Sequence, residues 1–243
     1  MNEVVIITGA SRGIGREIAK VLAKKNYIII ANYNKSEEEI KQLKEELKNE
    51  GYNIDIFKAD VSRRDECERL VAYVLEKYNK VDILINNAGI SQIKEFTQLT
   101  DDDWNSMINV NLNSVFYMTQ EVINNMIHNK NGCIINISSV WGMVGSSCEV
   151  HYSTAKAGVI GMSKALAKEL GPSNIRVNVI APGLVETDMS KDLNEYDIKN
   201  IIEETPLMKI AKPAEIAKSV EWIINDELVT GQVISPNAGW VII

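Results

Sequence analysis

Two side chains four residues apart could form an acid–base pair. Tyr152 and Lys156 lie in the stretch CEVHYSTAKAG (148–158), and residues i and i+4 share one face of a helix. A phenol with a pKa of about 10 is a poor acid at neutral pH, but an adjacent ammonium favours the phenolate and lowers that pKa. The pair predicts a proton donor at a helix start. Taken alone, the spacing is a weak signal, and a packed tyrosine beside a surface lysine explains it better.

A glycine-rich turn follows the first apolar run. It reads TGASRGIG (8–15), with the spacing G-x-x-x-G-x-G. Glycines allow a tight turn and let a pyrophosphate approach the free N–H groups at the start of the next helix. The turn therefore predicts a dinucleotide site, and the alternative is a purely structural turn. The predicted cofactor residues in it are Gly9, Ser11, Arg12, Gly13, Ile14 and Gly15.

The end of the second apolar run bears on the choice of cofactor. In NAD sites an acidic residue there binds the ribose 2′-hydroxyl, but the segment 31–36 has no carboxylate before Glu37. Arg12, Lys35 and Asn34 could instead hold a 2′-phosphate through charge-assisted hydrogen bonds. NADP(H) is therefore predicted over NAD(H). The alternative is that Arg12 and Lys35 are solvated surface charges.

Short apolar runs rich in β-branched residues alternate with amphipathic stretches. The runs predict strands at 4–8, 27–32, 54–60, 81–86, 133–138, 175–181 and 232–235. Helical periodicity covers 14–25, 37–49, 64–78, 101–129, 152–170 and 214–225. Because the runs are near-continuous, each strand is predicted to be buried on both faces. The alternation predicts an α/β fold, a Rossmann-type doubly wound parallel sheet of about seven strands with helices on both faces and ligands at the carboxyl ends of the strands.

One segment interrupts this alternation. Residues 182–212 are polar, contain two prolines and a glycine, and show only one helix-like piece, around 195–203. A long irregular segment at that edge predicts a lid, over about 183–212. The chain, 1–243, is predicted to be one domain, with a cofactor half (about 1–130) and a catalytic and substrate half (about 131–243).

Charge and composition argue against several classes of function. Lys plus Arg is 26 and Asp plus Glu is 33, and the net charge of −7 argues against nucleic-acid binding. The three cysteines are odd in number and share no metal-ligand spacing, which favours a reducing cytoplasm and no metal site. No apolar run approaches the ~18 residues that would predict a membrane span. The expected partner is a small-molecule or carrier-bound substrate.

A series of motifs along nearly the whole chain resembles the short-chain dehydrogenase/reductase family. The motifs are TGASRGIG (8–15), Asp60-Val61, NNAG (86–89), NVNL (109–112), SSVWG (138–142), YSTAK (152–156) and PG (182–183) followed by Thr187. The resemblance implies that Tyr152 is the catalytic acid/base and that Lys156 lowers its pKa and holds the nicotinamide ribose. It also implies that Ser139 hydrogen-bonds the substrate carbonyl and that Asn111 anchors a water connecting the lysine to solvent.

Two of these assignments have rivals, Ser138 for Ser139 and Asn109 for Asn111. Ser139 has the family's spacing to the tyrosine, and Asn111 directly precedes the leucine, as in related reductases. The resemblance also implies cofactor contacts at the strand ends. Those contacts are assigned to Asp60 and Val61 at the adenine, to Asn86, Ala88 and Gly89 at the ribose, to Val185 and Thr187 at the carboxamide, and to Pro182 and Gly183. The alternatives are turn, cap and loop roles for Asp60, Asn86 and Thr187.

Within the family, the overall likeness is to 3-oxoacyl-(acyl-carrier-protein) reductases, which implies NADPH and fatty-acid synthesis. Two departures stand out. Reductases of that type dock their acidic carrier with basic residues, of which this chain offers Lys130 but has Ser173 at the other position. Glu149 also replaces a neutral amide before the tyrosine.

The carboxylate of Glu149 would suit a cationic substrate. The combination of SSVWG and SCEVHYSTAKAG resembles bacterial reductases that act on a 5-aminopentanone group on elongation factor P, which is the alternative partner. A capping role for Glu149 at the incoming helix is equally open. A non-catalytic dinucleotide sensor is the alternative from another class.

The remaining signals concern assembly and the histidines. Helices 101–129 and 152–170 carry apolar residues beyond what one face needs, including Val115, Phe116 and Met118. In related enzymes these helices pair across a dimer and the C-terminal WVII packs in a second interface, which implies a homotetramer, with a dimer as the alternative. His128 and His151 are predicted to be structural, because neither has triad spacing.

Overall fold

The computed structural model describes residues 2–191 and 193–243. The strands are β1 (Val4–Ile7), β2 (Ile28–Tyr33), β3 (Asp55–Lys58), β4 (Ile83–Asn86), β5 (Gly132–Ile137), β6 (Ile175–Ile180) and β7 (Val233–Ile234). The α-helices are α1 (Gly13–Ala23), α2 (Glu37–Asn49), α3 (Arg64–Tyr78), α4 (Asp101–Ile108), α5 (Ser114–Asn129), α6 (Trp141–Val144), α7 (Val150–Leu170), α8 (Glu195–Glu204) and α9 (Pro213–Asn225).

The strands form a single sheet in the order β3-β2-β1-β4-β5-β6-β7, and every pair is parallel. Strand order reverses between β1 and β4, so the carboxyl ends of these two strands flank the crevice where such folds bind ligands. The predicted Rossmann-type doubly wound sheet is confirmed. The first four strands come from the predicted cofactor half and the last three from the predicted catalytic half.

Two apolar cores cover the two faces of the sheet. Alternate residues of β1 divide between them, because successive side chains of a strand point to opposite faces: Val5 and Ile7 pack with α1, α2 and α9, and Val4 and Ile6 pack with α3 and α5. The central strands β1, β4 and β5 are fully buried, as predicted. The prediction was wrong for β3 and β7, which are mostly half-buried because they are the edge strands.

The helix predicted over 101–129 is interrupted. A π-helical turn, Asn109–Asn113, separates α4 from α5. Within it, the Asn111 side chain donates to the Met107 carbonyl (3.2 Å) and to the Ile90 carbonyl (3.0 Å). Single π turns inside α-helices frequently occur at functional sites, and this one buries Asn111 completely beside the loop that follows β4.

The predicted lid region contains α8 and a short 3₁₀ turn, Asp188–Ser190. Val185 pairs with Ala211 in an isolated parallel bridge, which joins the beginning and end of the region. Asp192 lies outside the described residues, and the closing motion of a lid stays a prediction. Across the described ranges, none of the helices combines the length and apolar character that crossing a membrane requires.

Candidate active site

The glycine turn is held by close backbone contacts. Gly9 has φ +64°, and a Cβ built there would lie 2.9 Å from the Cα of Ala88. A Cβ on Gly15 would lie 2.5 Å from Nδ2 of Asn87. Side chains at either position would push the turn away from the end of β4. These glycines therefore allow the turn to lie close to the residues that follow β4, and the predicted approach to a pyrophosphate stays a prediction.

Thr8 and Asn87 fasten the turn to the end of β4. The Thr8 hydroxyl oxygen accepts from the backbone N–H groups of Asn87 (2.9 Å) and Ala88 (3.0 Å). The Asn87 amide in turn donates to the carbonyls of Thr8 (2.9 Å) and Gly9 (3.0 Å). Sequence reasoning assigned neither residue to the site, although both lie inside the quoted motifs. Their role is to position the turn.

The start of α1 fits the pyrophosphate of a dinucleotide. Arg12 is the N-cap residue and makes no side-chain capping hydrogen bond to the first turn, whose N–H groups form an anion site in such turns. Gly13 has φ +55°, and a Cβ there would come within 3.3 Å of Thr187. The glycine turn and the beginning of the lid region thus meet at the predicted cofactor path. Of the other predicted cofactor residues in this turn, Ser11 is buried and Ile14 is half-buried.

The side chains predicted to read the 2′-phosphate lie at the surface. Asn34 and Lys35 are exposed, and the Arg12 side chain is 62% exposed and pairs with Asp188 of the lid region at 3.4 Å. Asn32, which sequence reasoning did not single out, is buried at the end of β2. Its Oδ1 accepts from the Gly9 N–H (3.3 Å), and its Nδ2 donates to the Ala59 carbonyl (3.0 Å).

The residues predicted to contact the adenine and the ribose of the cofactor differ in how the structure places their side chains. One oxygen of the Asp60 carboxylate accepts from the N–H (3.0 Å) and the hydroxyl (2.6 Å) of Ser62. These bonds within a turn fit the alternative given for Asp60, a structural turn residue. Val61 beside it is buried. The Asn86 side chain points into the core, where its Nδ2 donates to Asn136 (2.9 Å). Any cofactor contact of Asn86 is therefore left to its backbone.

Asn111, Lys156 and Gly89 meet at the end of β4. A Cβ on Gly89 would lie 2.7 Å from Oδ1 of Asn111 and 3.5 Å from Nζ of Lys156. The Lys156 ammonium donates to the Ile137 carbonyl at the end of β5 (2.9 Å) and lies 5.7 Å from the ring centre of Tyr152. The side chains of Asn111, Tyr152 and Lys156 are all buried.

The geometry separates each predicted residue from its rival. The Ser138 hydroxyl donates to the Lys156 carbonyl (2.9 Å) and so fastens α7 to β5. The Ser139 hydroxyl oxygen accepts from the Trp141 N–H (3.2 Å), and the same hydroxyl group also lies within hydrogen-bonding reach of Tyr152. Asn109 is exposed and bonds only locally, to Asn113, in contrast to the buried Asn111.

Burial moves the two acid–base groups in opposite directions. It raises the pKa of Tyr152 to about 12, and nearby Glu149 acts in the same direction, whereas hydrogen bonding by Ser139 lowers that pKa. Burial alone lowers the pKa of Lys156 to about 8. The sequence predicted that the lysine lowers the tyrosine pKa. In the protein alone, desolvation outweighs any such effect.

Glu149 is a half-buried carboxylate beside this group. Burial raises its pKa, and hydrogen bonds with Ser146 and Trp141 act against that rise. Glu149 is the N-cap residue of α7, yet its side chain makes no capping hydrogen bond. Within residues 2–191 and 193–243, no lysine, arginine or histidine nitrogen lies within 4 Å of its carboxylate.

The PG motif and the residues after it line the opposite side of the crevice. The Pro182 carbonyl accepts from the Val140 N–H (3.0 Å), and a Cβ on Gly183 would lie 3.0 Å from that of Asn237. Val185 is buried and Thr187 half-buried. A cavity of about 540 Å³ lies between this region and α1, and its lining includes Gly13 and Thr187. None of the predicted catalytic side chains, Asn111, Ser139, Tyr152 and Lys156, lines this cavity.

Comparison with known proteins agrees with this geometry. A family model described as short chain dehydrogenase matches residues 3–197. The 3-oxoacyl-(acyl-carrier-protein) reductase FabG of Buchnera aphidicola is 40% identical over 239 residues, 98% of this chain and 96% of that protein. FabG of Thermotoga maritima is also 40% identical, over 99% and 98% of the two chains.

A third relative is the uncharacterized oxidoreductase YmfI of Bacillus subtilis, which is 36% identical over 99% of both chains. The family match and these near-full-length relatives support an oxidoreductase that acts on CH–OH or C=O groups with a nicotinamide dinucleotide. The family match over most of the chain and the near-full-length relatives show that the chain belongs to the short-chain dehydrogenase family.

Proposed function

We propose that this chain is an NADPH-dependent reductase of 3-oxoacyl groups on acyl-carrier protein. The observation that carries the proposal is the convergence of Ser139, Tyr152, Lys156 and Asn111 at the carboxyl ends of β4 and β5 and at the start of α7. FabG relatives that align over nearly the whole chain supply the substrate class. A carrier-bound thioester also suits a crevice that opens at the edge of the sheet.

The residues of this chain divide the work of carbonyl reduction. A bound nicotinamide dinucleotide supplies the hydride. Tyr152, kept protonated at neutral pH by burial, donates a proton to the carbonyl oxygen, and the Ser139 hydroxyl stabilises the negative charge that develops there. Lys156 binds the nicotinamide ribose and places a positive charge near the phenol. Asn111 holds the loop after β4 beside that lysine.

Turnover of a defined substrate tests this function. The parent protein should oxidise NADPH with acetoacetyl-carrier protein, and Tyr152→Phe should lose roughly 10²–10⁴-fold in kcat, the usual contribution of a general acid. The variant should bind NADPH as the parent does, measured by nicotinamide fluorescence. An unchanged rate in Tyr152→Phe would contradict the assignment of Tyr152, whereas NADPH binding without turnover in the parent would favour the non-catalytic sensor.

We also propose that Arg12 selects NADPH over NADH. In the part of the chain that the structure describes, its guanidinium pairs only with the exposed carboxylate of Asp188 at 3.4 Å, and exposed pairs of this kind contribute little. A 2′-phosphate would therefore be able to replace Asp188. Arg12→Ala should weaken NADPH binding about tenfold and leave NADH binding unchanged. Equal loss for both cofactors would show that Arg12 does not read the phosphate.

Glu149 supports a second candidate, an amine-bearing ketone such as the 5-aminopentanone group on elongation factor P. The carboxylate is half-buried beside Tyr152 and has no cationic partner within 4 Å in the part of the chain that the structure describes. A substrate ammonium would compensate a charge that is otherwise costly to bury. A neutral acyl chain would leave that charge uncompensated.

The two candidates separate in Glu149→Gln, which keeps the shape and removes the charge. With an amine-bearing ketone the variant should show a KM raised roughly tenfold or more. With acetoacetyl thioester it should retain the rate of the parent. Activity on the thioester alone, equal in both proteins, would exclude the counter-ion role.

A further inference from the structure

The loop after β4 lies beside the predicted catalytic residues, because a Cβ on Gly89 at its start would lie 3.5 Å from Nζ of Lys156. We call residues 89–94 the wall segment. At its start, the Ile90 N–H donates to Oδ1 of Asn111 (3.2 Å) and the Ile90 carbonyl accepts from Nδ2 of the same side chain (3.0 Å). Near its end, the Lys94 N–H donates to the Cys148 carbonyl (2.8 Å), just before α7. The wall segment therefore spans from the π turn to the start of the catalytic helix.

His151 supplies the tie in the middle of the wall segment. Its ring is completely buried next to Tyr152 in the chain, and Nε2 lies 3.0 Å from Oε1 of Gln92. The Gln92 Nε2 donates to Oδ1 of Asp103 (2.9 Å), and the Lys94 ammonium donates to the other oxygen of the same carboxylate (2.6 Å). The first turn of α7 is thus linked through Gln92 to the first turn of α4.

This chain of hydrogen bonds determines which ring nitrogen carries the proton. An ionised carboxylate only accepts, so Gln92 must turn its NH₂ group to Asp103 and its oxygen to the histidine. The Nε2 of His151 is then the donor. In the neutral ring Nδ1 is left as an acceptor, and Nδ1 is buried without a hydrogen-bond partner in the described part of the chain.

The unpaired Nδ1 makes a purely stabilising role a poor account of His151. A buried acceptor without a partner is destabilising, and an apolar side chain at this position would remove that cost. Among the described residues, the ring makes one hydrogen bond in return, to Gln92. The benefit of that bond must therefore lie in where it places the wall segment.

We propose that His151 is a positioning residue that holds the wall segment against the catalytic helix through Gln92, and so shapes the apolar acyl-binding side of the crevice. Ile90 is 38% exposed and Ile93 is 63% exposed, so the wall segment presents apolar side chains to solvent between its three ties. An acyl chain entering beside Tyr152 would cover them. This inference rests on the proposed acyl substrate, whereas the placement of the wall segment does not.

Three variants of His151 separate the hydrogen bond from the bulk of the ring. His151→Gln keeps an N–H donor near the position of Nε2, His151→Asn keeps one only near Nδ1, and His151→Leu keeps none. With a 3-oxooctanoyl thioester, the Leu and Asn variants should show a KM raised roughly tenfold, the effect of one neutral hydrogen bond. Their kcat and NADPH affinity should stay within about twofold of the parent, and the Gln variant should regain the parent KM.

Hydrogen exchange gives a readout that needs no substrate. Amides of residues 90–94 should exchange faster in the Leu and Asn variants than in the parent and the Gln variant, while amides of β5 should be unchanged. If the parent had no activity with the thioester, the proposed function would be wrong. The exchange data would still test whether His151 holds the wall segment in place. If the Gln and Leu variants behave alike in exchange, or if KM is unchanged in His151→Leu, the proposal is wrong.

Discussion

At the scale of single residues, burial sets the charge states of Tyr152 and Lys156. Both groups are desolvated, and desolvation favours the neutral form of each. The tyrosine is therefore kept as an acid, which suits reduction, and the lysine becomes easier to deprotonate than a surface lysine. The negatively charged phosphates of a bound dinucleotide would favour the charged form of Lys156 and so raise its pKa.

The depressed pKa of Lys156 makes a prediction about stability. Between its folded pKa of about 8 and the unfolded value of 10.5, the unfolded chain holds a proton that the folded chain has released. The free energy of unfolding should therefore rise with pH through this window, by about 1.4 kcal/mol per pH unit at most.

Denaturant unfolding of the parent and of Lys156→Met between pH 7 and 10 measures this effect. As pH rises above 8, the free energy of unfolding of the parent should increase relative to that of Lys156→Met. Tyr152 does not interfere, because its raised pKa lowers stability only above pH 10. Parallel curves for the two proteins would contradict a depressed lysine pKa.

The residue scale also marks how far sequence reasoning reaches. The i,i+4 spacing and the motifs singled out Tyr152 and Lys156, which the structure places, both buried, in the first two turns of α7. The choice of Ser139 over Ser138, made from the family spacing, stays a prediction. The direction of the Tyr152 pKa shift could not be predicted, because it depends on how much water the folded chain removes. The positioning roles of Thr8 and Asn32 could not be predicted for a related reason: their partners include backbone atoms far away in the sequence, such as those of Asn87 for Thr8 and of Ala59 for Asn32.

At the scale of elements, the glycine turn is the most constrained piece of backbone. Gly9→Ala would introduce a side chain at φ +64° and 2.9 Å from the Cα of Ala88. The expected loss in free energy of unfolding is roughly 1–3 kcal/mol, and NADPH affinity should fall with it. Thermal unfolding and a cofactor titration measure the two effects.

Gly171→Ala is the matched control for that substitution. Gly171 has helical φ and ψ at the end of α7, and nothing lies within 4 Å of the added Cβ. Its stability should stay within about 0.5 kcal/mol of the parent. Equal losses in both variants would mean that the glycine turn is not under the backbone constraint described here.

Element boundaries were predictable where the pattern of side chains decides them. Helices α2 and α3 begin and end where the periodicity places them, because charged outer faces and apolar inner faces repeat without interruption. The π turn was not predictable. Residues 101–129 keep a helical pattern through it, and the cause is one asparagine that bonds to a distant loop.

At the scale of the whole molecule, several apolar side chains remain uncovered. Val115 and Met118, which the sequence offered as surplus apolar residues, belong to the core of the chain itself. Phe116 on α5 is 43% exposed, and Leu228, Ile242 and Ile243 near the C-terminus are more than 80% exposed. Apolar side chains that stay exposed in a single chain are typical of surfaces that another copy of the chain covers.

We predict a homotetramer, of four 27.2 kDa chains, by light scattering coupled to size exclusion. Phe116→Asp and the double change Ile242→Asp with Ile243→Asp should each shift the particle toward a dimer, because each places charge in one interface only. Matching circular dichroism spectra would show that the fold is intact. A monomeric parent would contradict the assembly.

The buried amide of Asn32 has a consequence for changing the cofactor. In NAD sites a carboxylate at the end of the second strand binds the ribose 2′-hydroxyl, so an exchange of Asn32 for Asp is one way to favour NAD. In this chain that exchange would turn an NH₂ donor into an acceptor facing the carbonyls of Tyr33, Phe57 and Ala59. A carboxylate at position 32 is therefore unfavourable. We expect a change of cofactor preference to require substitutions at the exposed Asn34 or Lys35 instead.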